Sequence, residues 1–535
     1  MIQLHIHSYY TFLQGTISID KIIEYAKKYN LKSIALTDTN CMCGLIEFAK
    51  KCKVEKIKPI LGALINDPVF QNEYAVFLAK NNEGYAELCK IITMRKLRED
   101  FSLYEIINKK SENLFVITSS IDLLKKITFS KNLYVELIST KRHKRKSKEL
   151  YEFAQYKNLK IVATHPAYFV DKDDYSTHKI VTSIRLNKTF ENLTDTNIID
   201  EEYYLIDPEV FEKRWKIFYS AIHASEDIAE KCNVNLELNK YKFPHIKVPT
   251  NESAYTYLWK ESFQGLHKRY DPVTEVAINR LEKELKVIDD MNLSDYFLMV
   301  LSIVKEAKRR GMLFIGRGSA ANSLTAYCLG LTQVDPIRYN LYFERFLNKS
   351  RRNLPDIDID FSWKERDEII KYVFEHYGYE YVAMISTTIT FKARSAFREV
   401  AKTFGITNEE ISQYSKFIPW TNAKNLLKIS ELFPESCKVN FNIEPWKSII
   451  NIAVKIADFP RHLSIHPSGI IITPKPVTNY VALEYAKNKG LGLIITQPDM
   501  YSIEDMGLIK IDLLSQRSLG VLRDTLTNIR KREEN

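Results

Sequence analysis

Apolar and polar positions alternate with two different rhythms along this chain. Up to about residue 235, short apolar runs (SIALTD, KPILGALI, LFVITSS, LYVELIS and KIVATH) are interleaved with stretches of helical period such as IDKIIEYAKKYN. Strand and helix signals in that order predict an α/β layer with largely parallel strands. YKFPHIKVPTNES, from Tyr241, has two prolines among polar residues and reads as a linker. Beyond it, VAINRLEKELKVIDDM and DYFLMVLSIVKEAKRRG carry apolar residues at helical spacing; Ser294 is placed to cap the second, and Gly311 to stop it. MLFIGRGSAANSLTAYCLGL then predicts a short strand, a glycine turn and a helix starting near Ser319. Trp363 to Tyr377 reads as helix, and a mostly helical region runs on to about residue 460. Strand signals return at SGIIITP and GLIKIDLL, and no internal repeat is present.

One strand-like segment breaks the usual preferences. LPDIDIDF sets Asp356, Asp358 and Asp360 two apart, with isoleucines between them. In an extended chain the acids share one face and Ile357 and Ile359 the other. Asp is a poor strand former, and like charges so close repel, so something positive is required opposite. A hard divalent cation such as Mg²⁺, bound by one or two carboxylates with water and phosphate, meets that requirement. An edge strand whose acids pair with Arg351, Arg352 or Arg366 meets it too. The glycine turn GRGS is open in the same way: a helix start after glycines suits phosphate, and ordinary tight turns also use glycine.

Composition narrows the class. The 535 residues are 45% hydrophobic and 27% charged, as in ordinary folded protein, and no apolar run approaches membrane-spanning length. Seven cysteines without a CxxC pair argue against a disulfide framework or zinc ribbon. The start MIQLHIHSYY lacks the layout of a signal peptide, so a cytoplasmic location is expected. A formal charge of +10 favours a polyanionic partner. The densest basic run, KRHKRKSKEL from Lys141, reads as a solvated loop and helix start rather than a dedicated nucleic-acid clamp.

The order of strand, Gly-Ser turn, helix and alternating-Asp strand is that of a nucleotidyltransferase core of the polymerase beta type. A closer resemblance follows. GRGSAANSLTAYCLGLTQVDPIRYNLYFERFLNKSRRNLPDIDIDFSWKERDEIIKYVFEHYG is similar to the active-site core of the C-family DNA polymerases, the family of bacterial DNA polymerase III alpha subunits. TFKARSAFREVAKTFGI, RHLSIHPSGIII and IKIDLLSQRSLGVL resemble that family's later motifs, in the family's order. The resemblance implies an α/β multidomain fold. Its parts would be a PHP-like (polymerase and histidinol phosphatase) domain over 1–235, expected as a distorted barrel, a palm of the polymerase-beta nucleotidyltransferase type over 236–387 and 468–517, a mostly helical thumb over 388–467, and the start of the fingers over 518–535. It implies Mg²⁺ binding, two ions, by the catalytic Asp356, Asp358 and Asp512, with Asp360 in support. It also implies nucleotide-phosphate contacts from Gly318, Ser319 and Arg345, and further contacts from Arg317 and Lys510. Lys392 and Arg394 match weaker DNA-contact positions that ordinary surface charge on a helix would also explain, and His466 reads as a structural histidine.

The implied reaction joins a primer 3′-hydroxyl to the α-phosphate of a deoxynucleoside triphosphate (dNTP) on primer-template DNA. The implied partners are a second chain or C-terminal portion bearing the fingers, and through it the sliding clamp. The chain ends soon after Asp512, so a fragment, one half of a split polymerase and a natural short form are all compatible. So is a non-catalytic DNA-binding or assembly module.

The amino-terminal match is incomplete. LHIHS resembles the first PHP motif, and His5 and His7 are residue types that ligate metals. Where the family's other ligands would stand, this chain has Thr39, Leu64, Pro166 and Tyr168; His178 matches a helix position beyond the ligand motif. A full metal site is therefore not expected there, and the domain reads as structural rather than as a proofreading or pyrophosphatase site.

Overall fold

The computed structural model describes residues 2–109, 111–128, 131–348, 357–486 and 493–533. Two sheets organise them. The first holds β1 (Ser33–Leu36), β2 (Lys58–Asn66), β3 (Tyr74–Ala79), β4 (Leu114–Thr118), β5 (Leu133–Ile138) and β6 (Lys160–Thr164), side by side in chain order. β1–β2, β4–β5 and β5–β6 are parallel, as the α/β rhythm predicts. β3 was not among the five expected runs and lies antiparallel to both neighbours. It follows β2 through a short turn in which the Asp67 carboxylate accepts from the N–H groups of Val69 and Phe70. No crossover helix intervenes, so the chain reverses and β3 cannot be parallel.

The extended segment 3–7 ties the two edges of this sheet. Ala35 and Thr37 donate to the carbonyls of Gln3 and Ile6, while His7 donates to Ala167 and Ala167 to His5. The sheet is thereby curled toward closure, with His5 and His7 on its inner rim.

The second sheet runs β11-β12-β9-β10-β13-β8-β7, where β7 is Phe314–Arg317, β8 Asp358–Ser362, β9 Val382–Thr390, β10 Pro460–Ile472, β11 Leu483–Tyr485, β12 Ile494–Asp499 and β13 Lys510–Gln516. β8 shows why the alternating sequence folds as it does. Ile357, Ile359 and Phe361 are fully buried in one apolar core with Ile511 and Leu513 of β13 and Ile470 of β10. The helices Glu275–Asp290 and Ser294–Arg309 cover that side. Ser294 is the first residue of its helix and makes no capping bond, one position later than expected; Gly311 ends it with φ of 68° and Met312 N–H closing on the Ala307 carbonyl.

β9, inside the stretch expected to be mainly helical, forms a long antiparallel ribbon with β10, which starts at the end of that stretch and includes the strand expected at SGIIITP. Between them lies a helical layer, including Ala393–Thr403, Asn408–Ser415 and Trp446–Lys455, around Phe397 stacked on Trp446. The two sheets are not separately cored. Ala383, Ile385 and Ile471 of the second sheet belong to the same buried cluster as Phe48, Leu88 and Phe77 of the amino-terminal region. Gln497 reinforces the join, accepting from the Met42 N–H at 2.9 Å and donating to the Asn40 carbonyl at 3.1 Å.

Candidate active site

The strand register assembles the acids. In the parallel pair β8–β13, Asp358 stands opposite Asp512; in the antiparallel pair β7–β8, Arg317 stands opposite Asp358. Residues facing each other across a ladder share a side, so Arg317, Asp358 and Asp512 form one row, away from the isoleucine core. Asp360 lies two residues along β8 on the same side. Arg317 Nε is 3.8 Å from Asp358 Oδ2 and 3.3 Å from Asp360 Oδ1. Lys510, two before Asp512 on the same face, brings its Nζ to 2.9 Å from Asp512 Oδ2. Asp356 and the expected partners Arg351 and Arg352 lie outside the described residues. Arg366 is not a carboxylate brace for this row. Its Nε donates to the Leu513 carbonyl at 2.7 Å and a terminal nitrogen to the Pro467 carbonyl at 2.6 Å, which ties β13 to the irregular part of β10.

The glycine turn abuts the acids at the end of β7. Gly316 is required because a Cβ there would lie 2.0 Å from the Leu331 carbonyl oxygen. Gly318 has φ of 73°, and a Cβ there would sit 3.6 Å from Asp358 Oδ2, so its bare backbone lies directly beside the carboxylate. The helix expected from Ser319 is absent. Gly318–Asn322 is a 3-10 turn, and the following α-helix is only Leu324–Cys328. Its N-terminus is already satisfied: the buried Glu284 carboxylate accepts from the N–H groups of Leu324 and Thr325 and from the Ser323 hydroxyl. Burial raises the Glu284 pKa, against those hydrogen bonds and the Arg280 charge. Phosphate held here would therefore meet the turn's N–H groups and side chains rather than a helix dipole. The 3-10 turn Phe343–Arg345 packs on Gly318–Asn322, which brings Arg345, solvent-exposed, to the same margin.

Three contributors escaped the sequence reading. Ser468 Oγ donates to Asp512 Oδ1 at 2.8 Å, and Gln516 Nε2 donates to Asp360 Oδ2 at 3.1 Å. Glu284 is the third; its signal was visible, since it falls at the buried spacing of Ala277, Leu281, Leu285 and Ile288 on a helix. His466 accepts from Gly469 N–H at 2.8 Å, and burial lowers its pKa although Asp512 opposes that. It shapes the β10 bend beside Asp512. Lys392 and Arg394 lie apart in the helical layer. Lys392 Nζ is 2.6 Å from Asp458 Oδ1, and Arg394 donates twice to the Ile418 carbonyl.

The amino-terminal histidines are closed upon their neighbours. His5 Nδ1 lies 2.6 Å from Glu136 Oε1, and its Nε2 3.0 Å from His7 Nε2. His7 Nδ1 meets the Thr11 hydroxyl at 3.1 Å, and its ring stacks on Tyr168. Burial, then His5, keeps His7 neutral by lowering its pKa well below the usual value. His178 donates from Nδ1 to the Gln14 carbonyl at 2.9 Å and accepts at Nε2 from the Ile199 N–H at 3.3 Å. Thr39 lies 3.4 Å from His7, Leu64 is in the core, and Tyr168 fills the inner rim.

Among the described residues, no three His, Cys, Asp or Glu side chains stand close enough to hold a metal ion. The second sheet nonetheless suits hard cations in its donor chemistry: paired carboxylates on adjacent strands, and Asp360 Oδ1 buried without a hydrogen-bond partner. No helix is long and apolar enough to cross a membrane.

Comparison with known proteins agrees with these two regions. The sequence model described as "Bacterial DNA polymerase III alpha NTPase domain" matches residues 256–515, and that of the PHP domain matches 3–159. The DNA polymerase III subunit alpha of Bacillus subtilis (strain 168) is 32% identical over 561 residues, covering 100% of this chain and 50% of that protein. The error-prone DNA polymerase of Symbiobacterium thermophilum is 29% identical over 570 residues, covering 99% of this chain and 52% of that protein. The DNA polymerase III subunit alpha of Aquifex aeolicus is 29% identical over 602 residues, with 98% and 52% covered. The chain thus spans about half the length of the curated relatives it matches.

Proposed function

We propose, for a chain that belongs to the bacterial DNA polymerase III alpha-subunit family, that it is the nucleotidyl-transfer core of a template-directed DNA polymerase. The observation that carries this reading is the register pairing Asp358 with Asp512 beside the bare backbone of Gly318. Asp358 and Asp512, with Asp356, would hold Mg²⁺. When bound there, Mg²⁺ supplies activation of the primer 3′-hydroxyl and neutralisation of phosphate charge. The chain's own groups do the rest. Gly318 and Ser319 admit the triphosphate against backbone N–H groups, and Arg345 binds its outer phosphates. Arg317 and Lys510 hold the carboxylates until phosphate arrives, then exchange one anion for another. Asp360, fixed by Gln516, orients Arg317; Ser468 fixes Asp512. Template pairing selects the base, so backbone contacts from a basic chain suffice.

In this reading residues 1–235 form a PHP-like domain without a working metal site, 236–387 and 468–517 the palm, 388–467 the thumb and 518–535 the start of the fingers. DNA and dNTPs are the substrates, and a second chain or portion supplies the remaining fingers and reaches the sliding clamp. A second reading is a non-catalytic DNA-binding or assembly module.

Primer extension with Mg²⁺ separates the two. The chain is assayed alone and with a second chain corresponding to the remaining half of the Bacillus subtilis relative. Extension in either arm, reduced at least about 100-fold by Asp512→Asn with an unchanged circular dichroism spectrum, supports the polymerase. An Asp512→Asn protein that extends primers at the parent rate overturns the site assignment. Absence of extension in both arms, with DNA binding retained, supports the second reading.

A further inference from the structure

The amino-terminal region holds a cavity of about 880 Å³ at the carboxyl end of β5, lined by residues from Leu137 to Tyr151 and by Lys172, Tyr175, Tyr204, Trp215 and Phe218 among others. This falls within the ~300–1,000 Å³ of small-molecule sites. We propose that it binds a nucleotide unit, with phosphate at its basic rim and the base against its aromatic wall.

Charge is the first argument. Lys141, Lys144, Lys148 and Lys172 stand on the rim and are exposed. Two acids line it as well, Glu201 and Glu202. Glu202 is already engaged, by Arg214 at 3.1 Å and by the Lys141 N–H at 3.3 Å. The rim therefore keeps a surplus of ammonium groups.

The helix behind that rim is the second argument. Lys144–Lys157 starts without a side-chain cap and with no acid in its first turn, where Lys144, Arg145 and Lys146 stand instead. Cations at the positive end of a helix oppose its dipole. An anion seated there removes the conflict by meeting both the dipole and the lysines. The run that sequence alone assigned to solvated surface is in this way half of a binding site.

Unpaired polar atoms are the third. The Trp215 indole N–H and the Ser139 hydroxyl, from two residues of the cavity wall, are both buried and have no hydrogen-bond partner. Such groups are destabilising unless something meets them. Both atoms stand behind the cavity surface, so a base would meet them only after the side chains covering them shift. The aromatic residues beside them offer stacking faces, and the Lys172 ammonium lies 5.7 Å over the Tyr204 ring, linking the basic rim to the aromatic wall. Inorganic phosphate would leave that wall unused, and a purely apolar ligand would leave the lysines unused.

The site is separate from the histidine cluster. Neither His5 nor His7 lines it, and His143, at the helix start, is engaged by Asp200 at 3.2 Å. Binding here calls for no metal and no bond cleavage. The nucleotide unit can be free in solution or can be the 5′-phosphorylated end of a single strand.

Isothermal titration in EDTA, which silences metal-dependent binding in the second sheet, tests the proposal on the full chain. The probes are deoxyadenosine monophosphate and a 5′-phosphorylated oligothymidylate. Saturable one-to-one binding is expected, weakened at least about tenfold by Lys144→Glu/Lys172→Glu together. Tyr204→Leu, which removes a stacking face beside Lys172, should weaken it about threefold or more. Tighter binding of the oligonucleotide names a strand end, and equal or tighter binding of the mononucleotide names a free nucleotide; either supports the site. No binding of either probe at millimolar concentration overturns it. So does an affinity unchanged by the double charge reversal in a protein whose thermal unfolding matches the parent.

Discussion

His5 and His7 in one region, and Asp358 and Asp360 in the other, obey the same rule of spacing. Each pair is separated by one residue in extended chain and shares a face. Their surroundings differ. The histidines are 2% and 0% exposed, and their nitrogens close on Glu136, Thr11 and each other. A quarter of the Asp358 side chain remains exposed, with Arg317 Nε 3.8 Å from it, and buried Asp360 Oδ1 has no hydrogen-bond partner. In the first cluster every histidine nitrogen has a neighbour, while Glu136 Oε2 is buried without a hydrogen-bond partner. The second is an excess of oxygen donors beside a glycine, with positive side chains only partly answering it. The spacing of residue types announces a candidate site, and the exposure and satisfaction of the polar groups set the two candidates apart.

The sharpest way to break that comparison is to remove His5. Burial alone would raise the pKa of Glu136, but His5 and the Thr164 hydroxyl hold it below the ordinary glutamate value. His5→Ala leaves the carboxylate buried with one weak partner, and a broken buried pair costs about 3–5 kcal/mol. Urea unfolding should show that loss, while primer extension per folded molecule stays within about twofold. Unchanged stability with lost activity would give the histidine cluster a function and erase the contrast.

A pH titration sharpens it further. Asp38, beside the histidines, is fully buried, and desolvation raises its pKa from 3.8 to about 6 despite hydrogen bonds from Ser8 and Thr11. For an acid whose folded pKa lies above its unfolded value, stability is fully present below the unfolded pKa and is lost as pH rises through the folded one. Between pH 4 and 7 the unfolding free energy of the parent should therefore fall by about 3 kcal/mol relative to Asp38→Asn. A constant difference over that range would mean that Asp38 is not a closed, desolvated acid.

How far these features were legible depends on how local their causes are. Five strands of the first sheet and the alternating face of β8 follow from patterns a few residues long. So do the glycines of the turn, because the constraints at Gly316 and Gly318 act on the backbone itself. β3, YAVFLA, was missed although it is as long as β5, and its antiparallel direction is set by the turn after Asn66 rather than by its own residues. β9 and the first half of β10 were missed, although SGIIITP marked the second half, because their pairing spans the whole helical layer, which no local period records. The helix at Ser319 was wrong for a tertiary reason: Glu284, remote in sequence, claims the N–H groups that start the helix at Leu324. Ser468 and Gln516 are ordinary polar residues that acquire a role only when β10 and β13 meet. The shared core of the two sheets was equally invisible, since Ala383 and Phe48 look alike to any reading of composition.

The smallest effect concerns a residue type that sequence treats as interesting and geometry treats as occupied. Lys392 is a basic residue near a resemblance-based DNA position, yet its ammonium meets Asp458 at 2.6 Å, and Asn422 holds the other oxygen of that acid at 2.8 Å. Both partners are substantially exposed, 45% and 39% for their side chains, so the pair contributes little. Lys392→Ala should change the unfolding free energy by no more than about 1 kcal/mol. Any contact with DNA phosphate would have to displace Asp458, so the salt dependence of DNA binding should be the same in Lys392→Ala and the parent. A slope of log affinity against log salt reduced by about 0.9 in the variant would instead count one phosphate contact at Lys392. That result would place an ion pair of the helical layer on the open side of the comparison, with the carboxylates of the second sheet rather than with the closed histidines.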